Sequence, residues 1–254
     1  MTAYKHLSND ELLDQVERAG RILPAELIQA LLARRIELRS AILARFAESL
    51  NDNWENDDDP RWYRAVHYGF LLIAYRERKA LPIFAAIYSD PDLYEGLLEW
   101  FEETPAHFGP PAAPVFQAVI QDAPGMAWHF GAAMSVAILK NIAIRFPETR
   151  ENILAFLRSL LPPLNADGRV ELNDDAEIDE LWGSVVDALA ELRDRESTPQ
   201  ILAMFDAELI DPMETDRESY LDVLEGAPAI RKSQPFDIFA EYASRDHSNT
   251  AQSA

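Results

Sequence analysis

The side chains of this chain that could do chemistry are five histidines and 44 carboxylates set against 23 cations, with no cysteine at all. Without cysteine there is no thiol nucleophile, no disulfide, and no thiolate ligand for zinc or an iron–sulfur cluster. The histidines do not fall at HxxxH or HExxH spacing, the pattern that sets two imidazoles on one helical face around a metal. His67 and His129 stand among aromatic neighbours in helical stretches and read as hydrogen-bonded or boundary residues. His107 lies beside Pro105 and Phe108 and close to Glu102 and Glu103. An imidazole near carboxylates can be tuned to acid–base work, so this is the one acid–base neighbourhood the sequence offers, though such work also needs a cleft.

The run Asp57, Asp58 and Asp59 could hold a divalent ion weakly, but adjacent carboxylates without a glycine turn are the pattern of a solvent-facing loop. Residues 165–171, NADGRVE, have the look of the middle of a calcium loop. The fit fails at its ends, because the first ligand position falls on Pro163 and the closing bidentate position on the short Asp174. An ordinary Asp-Gly turn is the better reading. There is no glycine-rich phosphate loop and no G-x-S-x-G elbow. No catalytic residue, metal ligand or cofactor site is therefore assigned.

Tryptophans are the other distinctive side chains. Trp62, Trp100, Trp128 and Trp182 each stand on a helical stretch, where packing is the default and exposure on a concave face would make a binding anchor. Trp54, between Asn53 and Glu55, has reason to be in a polar loop only if it folds back or meets a partner. The candidate partner-binding set is Trp54, Asp57, Asp58, Asp59, Trp100, Glu102 and Glu103.

The partner's nature follows from charge. A net charge of −21 over 254 residues repels nucleic-acid phosphates and anionic membrane surfaces, and points to a basic or neutral protein or peptide. No apolar run reaches the roughly 18 residues of a membrane span, and the N-terminus has no apolar signal core, so a cytoplasmic protein is expected.

These side chains must be positioned by helices. Ser8 to Glu11 spells a capping box that opens a short helix ending near Gly20. A helical apolar period then runs from Pro24 to about Leu50 with a break expected at Arg34-Arg35. Residues 51–60 form an acidic loop in which Asp59 caps the next helix and Pro60 takes its first position. Residues 62–91 read as a helix–turn–helix with its turn at Arg76 to Lys79. Residues 104–113 are expected to be irregular because of their proline and glycine. Further helices are expected over 114–121, 126–146, 148–161, 176–192 and from Ser197, with a second capping box at Thr215 to Glu218.

Two patterns recur. Pro82-Ile83-Phe84-Ala85-Ala86-Ile87 is echoed by Pro114-Val115-Phe116-Gln117-Ala118-Val119, and Asn152 to Leu157 by Gln200 to Phe205. Unequal spacing with a preserved pattern is the mark of degenerate helical-pair repeats that bury their apolar faces by stacking. The expected fold is all-α, a HEAT-like α-solenoid of antiparallel helix pairs. Residues 1–20 would be a capping helix, 21–226 the repeat domain, and 227–254 a C-terminal helix and frayed tail. Arginines at 76, 78, 145, 150, 193 and 195, with Lys79, would fall on one edge and the acidic loops on the other. That arrangement either ties neighbouring repeats together or presents an acidic docking edge.

The segments Arg76 to Pro82, Ala207 to Pro212 and Leu221 to Gly226 together resemble a bacterial family catalogued as domain of unknown function 1186, over roughly residues 20–226. The resemblance implies a HEAT-like helical array and no established reaction. Some members of that family carry a C-terminal cysteine-containing metal motif, which this cysteine-free chain cannot share. The expected function is a non-enzymatic scaffold that holds a basic or neutral partner on its concave face or acidic edge. The alternatives are a DNA-glycosylase-like helical-repeat enzyme, which would need a basic groove, and an acidic mimic of nucleic acid.

Overall fold

The computed structural model describes residues 4–51, 59–123, 130–170, 181–226 and 235–251. Among them the chain is all-helical, with no strand and one isolated bridge between Leu164 and Val170. The helices are α1 (Asn9–Glu17), α2 (Ala25–Ala33), α3 (Arg35–Ser49), α4 (Arg64–Tyr75), α5 (Leu81–Ser89) and α6 (Pro91–Phe101). They continue with α7 (Ala113–Asp122), α8 (Phe130–Arg145), α9 (Arg150–Ser159), α10 (Leu181–Glu191), α11 (Thr198–Asp206), α12 (Arg217–Glu225) and α13 (Ile238–Ala251).

They gather into two compact units. One takes its helices from Met1–Phe84, Asp92–Phe108 and Pro235–Ala254, and the other from Ala85–Pro91 and Gly109–Gln234.

In the first unit α1 opens at the expected box, with Ser8 Oγ accepting from the Glu11 N–H at 3.2 Å and the Ser8 N–H donating to Glu11 Oε2 at 2.7 Å. The expected break falls at Arg34, between α2 and α3. Asp59 caps a 3-10 turn that leads into α4. Every residue of α4 from Ala65 to Ile73 is buried, which makes it the central helix of its unit. It ends on Arg76, a left-handed residue, whose N–H returns to Ile73 while that of Glu77 returns to Leu72. Gly69 is what lets α6 come close to α4, since a Cβ there would lie 2.4 Å from the Phe101 ring. Phe101 joins Phe46 and Phe84 edge-on, with centroids 6.1 and 5.0 Å away.

In the second unit α8 packs on α7, α9 and α10, and α10 also packs on α12. Across the two units the repeated motif keeps its register on burial: Phe84 and Phe116 are both fully buried, and Ile87 and Val119 are both buried. The later pair shares only Ile153 and Ile201, because α9 goes on to bury Leu154 and Leu157 while α11 buries Met204.

Two local expectations change. Residues 104–112 are two 3-10 turns rather than irregular chain, with Pro105, Ala106 and Phe108 buried, because proline fixes the backbone angles that a tight turn uses. At α12 the cap is Asp216, whose carboxylate accepts from the Ser219 N–H at 2.8 Å. Thr215 is instead buried and hydrogen-bonded to Asp187.

Candidate functional site

The densest arrangement of charged and aromatic groups lies at the C-terminal end of α6. A helix leaves its last carbonyls without partners inside itself, and the account here is complete. The Leu98 carbonyl accepts from the Glu102 N–H at 2.7 Å, and the Phe101 carbonyl from Thr104 Oγ1 at 2.6 Å. The Glu99 and Trp100 carbonyls both accept from one guanidinium, that of Arg245 on α13, at 3.2 and 2.6 Å. Glu102 follows in the left-handed conformation with φ 42°, which turns its carboxylate back to within 3.6 Å of the same guanidinium. Glu241, one turn before Arg245, accepts from its Nε at 3.0 Å.

The flat face of the guanidinium is used as fully as its edge. Arg245 lies 4.8 Å from the centroid of the Trp100 ring and 6.0 Å from that of Phe70. A second guanidinium, Arg21, lies 5.1 Å from the Trp100 ring. Tyr63 meets Trp100 edge-on at 5.8 Å. Trp100 is buried, and Arg245 retains only 17% of its side-chain exposure. Carbonyls, carboxylates and an indole face around a planar cation make a guanidinium receptor.

Beside it α13 is fastened by His67. The Nε2 of this fully buried imidazole faces the Gly20 carbonyl at 2.7 Å and must donate to it, so Nδ1 accepts from the Tyr242 hydroxyl at 2.5 Å. Burial pushes the imidazole down to about 4, with the Gly20 carbonyl acting the other way. Burial likewise raises the Tyr242 phenol well above its ordinary value. His67 is thus neutral and structural.

Other charged clusters tie helices together. Glu17 takes Arg45 at 2.7 Å and the Tyr68 hydroxyl at 2.9 Å. In the second unit Asp194 accepts from Arg158 and from the Ser197 N–H. Burial raises that carboxyl, but the bonds from Arg158 and Ser197 outweigh it and hold the group low. Asp187 is raised by burial, with Thr215 opposing.

Of the sequence-predicted set, Trp100 and Glu102 meet at the receptor, and Glu103 is half-buried in the turn that follows, its carbonyl accepting from the Ala106 N–H. Asp59 stands apart as a cap, held at about 2 by its bonds from the Arg61 side chain and N–H. Trp54, Asp57 and Asp58 lie outside the described residues, as do Trp128 and His129. Trp182 is buried with its indole N–H on the Leu160 carbonyl at 3.1 Å, while Trp62 is half-buried. His107 packs its ring on Phe236, with centroids 5.2 Å apart. Residues 165–169 form the expected turn: Asn165 Oδ1 accepts from the N–H groups of Asp167 and Arg169 at 3.0 Å, and Gly168 has φ 74°.

Among the described residues no group of three or more histidine, aspartate and glutamate side chains is placed to hold a metal, and no helix is long and apolar enough to cross a membrane. Sequence reasoning missed Arg21, Phe70, Tyr242 and Arg245. The spacing of Ile238, Tyr242 and Arg245 on one helical face was the available signal. Compared with protein-family models, curated proteins and solved structures, the chain matches none.

Proposed function

We propose that the chain is a HEAT-like array of helix pairs, of the kind the resemblance to domain of unknown function 1186 implies, and that it serves as a non-enzymatic scaffold holding a basic protein or peptide. The array reading is supported by the shared buried register of Phe84 and Phe116 in the repeated motif.

The observation that carries the binding reading is how the charges are used. Several cations are used inside their own unit: Arg34 on the Leu7 and Lys5 carbonyls, Arg45 on Glu17, Arg150 on the Leu192 carbonyl, Arg158 on Asp194. Carboxylates remain in excess, at −21 overall. Residues 206–226 carry eight acidic side chains to one basic, and all eight are exposed. Met213 and Val223 in the same stretch are 91% and 39% exposed. Acidic groups beside exposed apolar ones fit a basic amphipathic partner and repel phosphate backbones.

The test is a low-salt binding panel of the full chain against a synthetic arginine- and lysine-rich helical peptide, an acidic peptide of equal length and duplex DNA. Binding of the basic peptide alone is expected. A shift of duplex DNA would favour the glycosylase-like enzyme instead, and selective capture of DNA-binding proteins, reversed by added DNA, would favour nucleic-acid mimicry.

A further inference from the structure

Arg245 occupies a receptor that is built almost wholly from other elements. The two α6 carbonyls, the left-handed Glu102, the Trp100 ring and the Phe70 ring all belong to the body of the first unit, and only Glu241 arrives with α13. Arg245 therefore behaves as a ligand held in cis. We propose that the C-terminal end of α6 is a binding site for an arginine side chain of a basic partner helix, and that α13 is an internal stand-in which this partner displaces. The proposal rests on the reading of the chain as a scaffold for basic partners and adds to the acidic stretch of the second unit a separate place in the first, with the chemical group it takes.

Three observations support exchange over a fixed cap. First, among the described side chains of α13 the buried ones fall on one stripe: Ile238 and Tyr242 are buried at 2% and 3% exposure and Arg245 follows, which is i, i+4, i+7 spacing. That is the footprint of an amphipathic helix laid on a surface, which another helix bearing the same three side chains can reproduce. Second, α13 is a poor electrostatic match to its own molecule. Residues 235–251 hold three carboxylates, Asp237, Glu241 and Asp246, to the single cation Arg245 on a chain already at −21. A basic helix with the same anchors adds long-range attraction to a chain of that net charge. Third, the receptor discriminates by shape. Two carbonyls and a carboxylate around the edge, with an indole across the face, suit a planar fork and not a round ammonium.

The experiment uses the full chain and a fluorescent peptide copying residues 235–251 with Ala240→Lys, Ala243→Lys and Asp246→Lys. A control peptide adds Arg245→Lys, which keeps the charge and removes the fork. The arginine peptide is expected to bind about tenfold more tightly than the control, the scale of a lost bidentate charge-assisted contact. Its binding is expected to raise amide hydrogen exchange over residues 238–245 of the full chain. In the full-length Arg245→Ala variant, where the internal competitor is weakened, affinity for the arginine peptide rises; in Glu102→Gln, at an exposed position, it falls. Equal affinity of the two peptides, or binding that leaves the exchange of α13 and the effect of Glu102→Gln at zero, overturns the site while leaving the basic-partner reading intact. Failure of both peptides to bind wild type and Arg245→Ala alike overturns the reading itself.

Discussion

At the scale of single residues, the groups whose protonation is displaced furthest are those that hold helices together. His67 is neutral because both its nitrogens are committed in a buried site, and its folded value of about 4 lies below the ordinary 6.5. The unfolded chain therefore binds this proton first. The stability the neutral ring contributes is full above about pH 6.5 and is lost as pH falls towards about 4. Between about pH 7.5 and pH 5 the loss attributable to His67 is about 2 kcal/mol. Denaturant unfolding of wild type and His67→Gln at both pH values checks this: the variant should lose less stability than wild type on acidification, because its amide can serve the same two partners without titrating. Asp194 gives a second case. Its side chain is 3% exposed and pairs with Arg158, so Asp194→Ala should cost about 2–3 kcal/mol in chemical denaturation, with Asp194→Asn less damaging because it can still accept from the Ser197 N–H.

At the scale of elements, α4 and α6 set the candidate site. Their approach depends on Gly69, where an added Cβ meets the buried Phe101 ring at 2.4 Å. Gly69→Ala should destabilise by about 1–3 kcal/mol, read as a lower thermal midpoint, because a ring packed against Phe46, Phe70 and Phe84 has nowhere to shift.

The elements themselves were well marked in the sequence. Ser8 with Glu11 and Asp59 before Pro60 stand where capping chemistry places them, because caps are local contests between a side chain and a few backbone groups, and the break at Arg34 falls where the apolar period is interrupted. Local reasoning erred where tertiary burial took over. Thr215 has the residues of a capping box around it, yet it is buried and its hydroxyl is used by Asp187, leaving Asp216 as the cap. The site was legible by half: Trp100 and Glu102 could be singled out as an aromatic beside carboxylates, while Arg245 lies more than a hundred residues away and nothing local announces the pairing.

At the scale of the whole molecule, the surplus of carboxylates is the property on which the proposed function draws. A net charge of −21 gives a long-range field that steers cations and repels polyanions, and ions in solution screen it over about 8 Å at physiological strength. In the proposed function the helical units supply the surfaces on which that field becomes selective, the C-terminal end of α6 with its guanidinium contacts among them. The most direct measurement is the dissociation constant of the full chain for an arginine-rich helical peptide, taken across about 50 to about 300 mM salt. The account predicts binding at low salt that weakens steeply and log-linearly as salt rises. No binding at the lowest salt, or an affinity that does not change with salt, would contradict it.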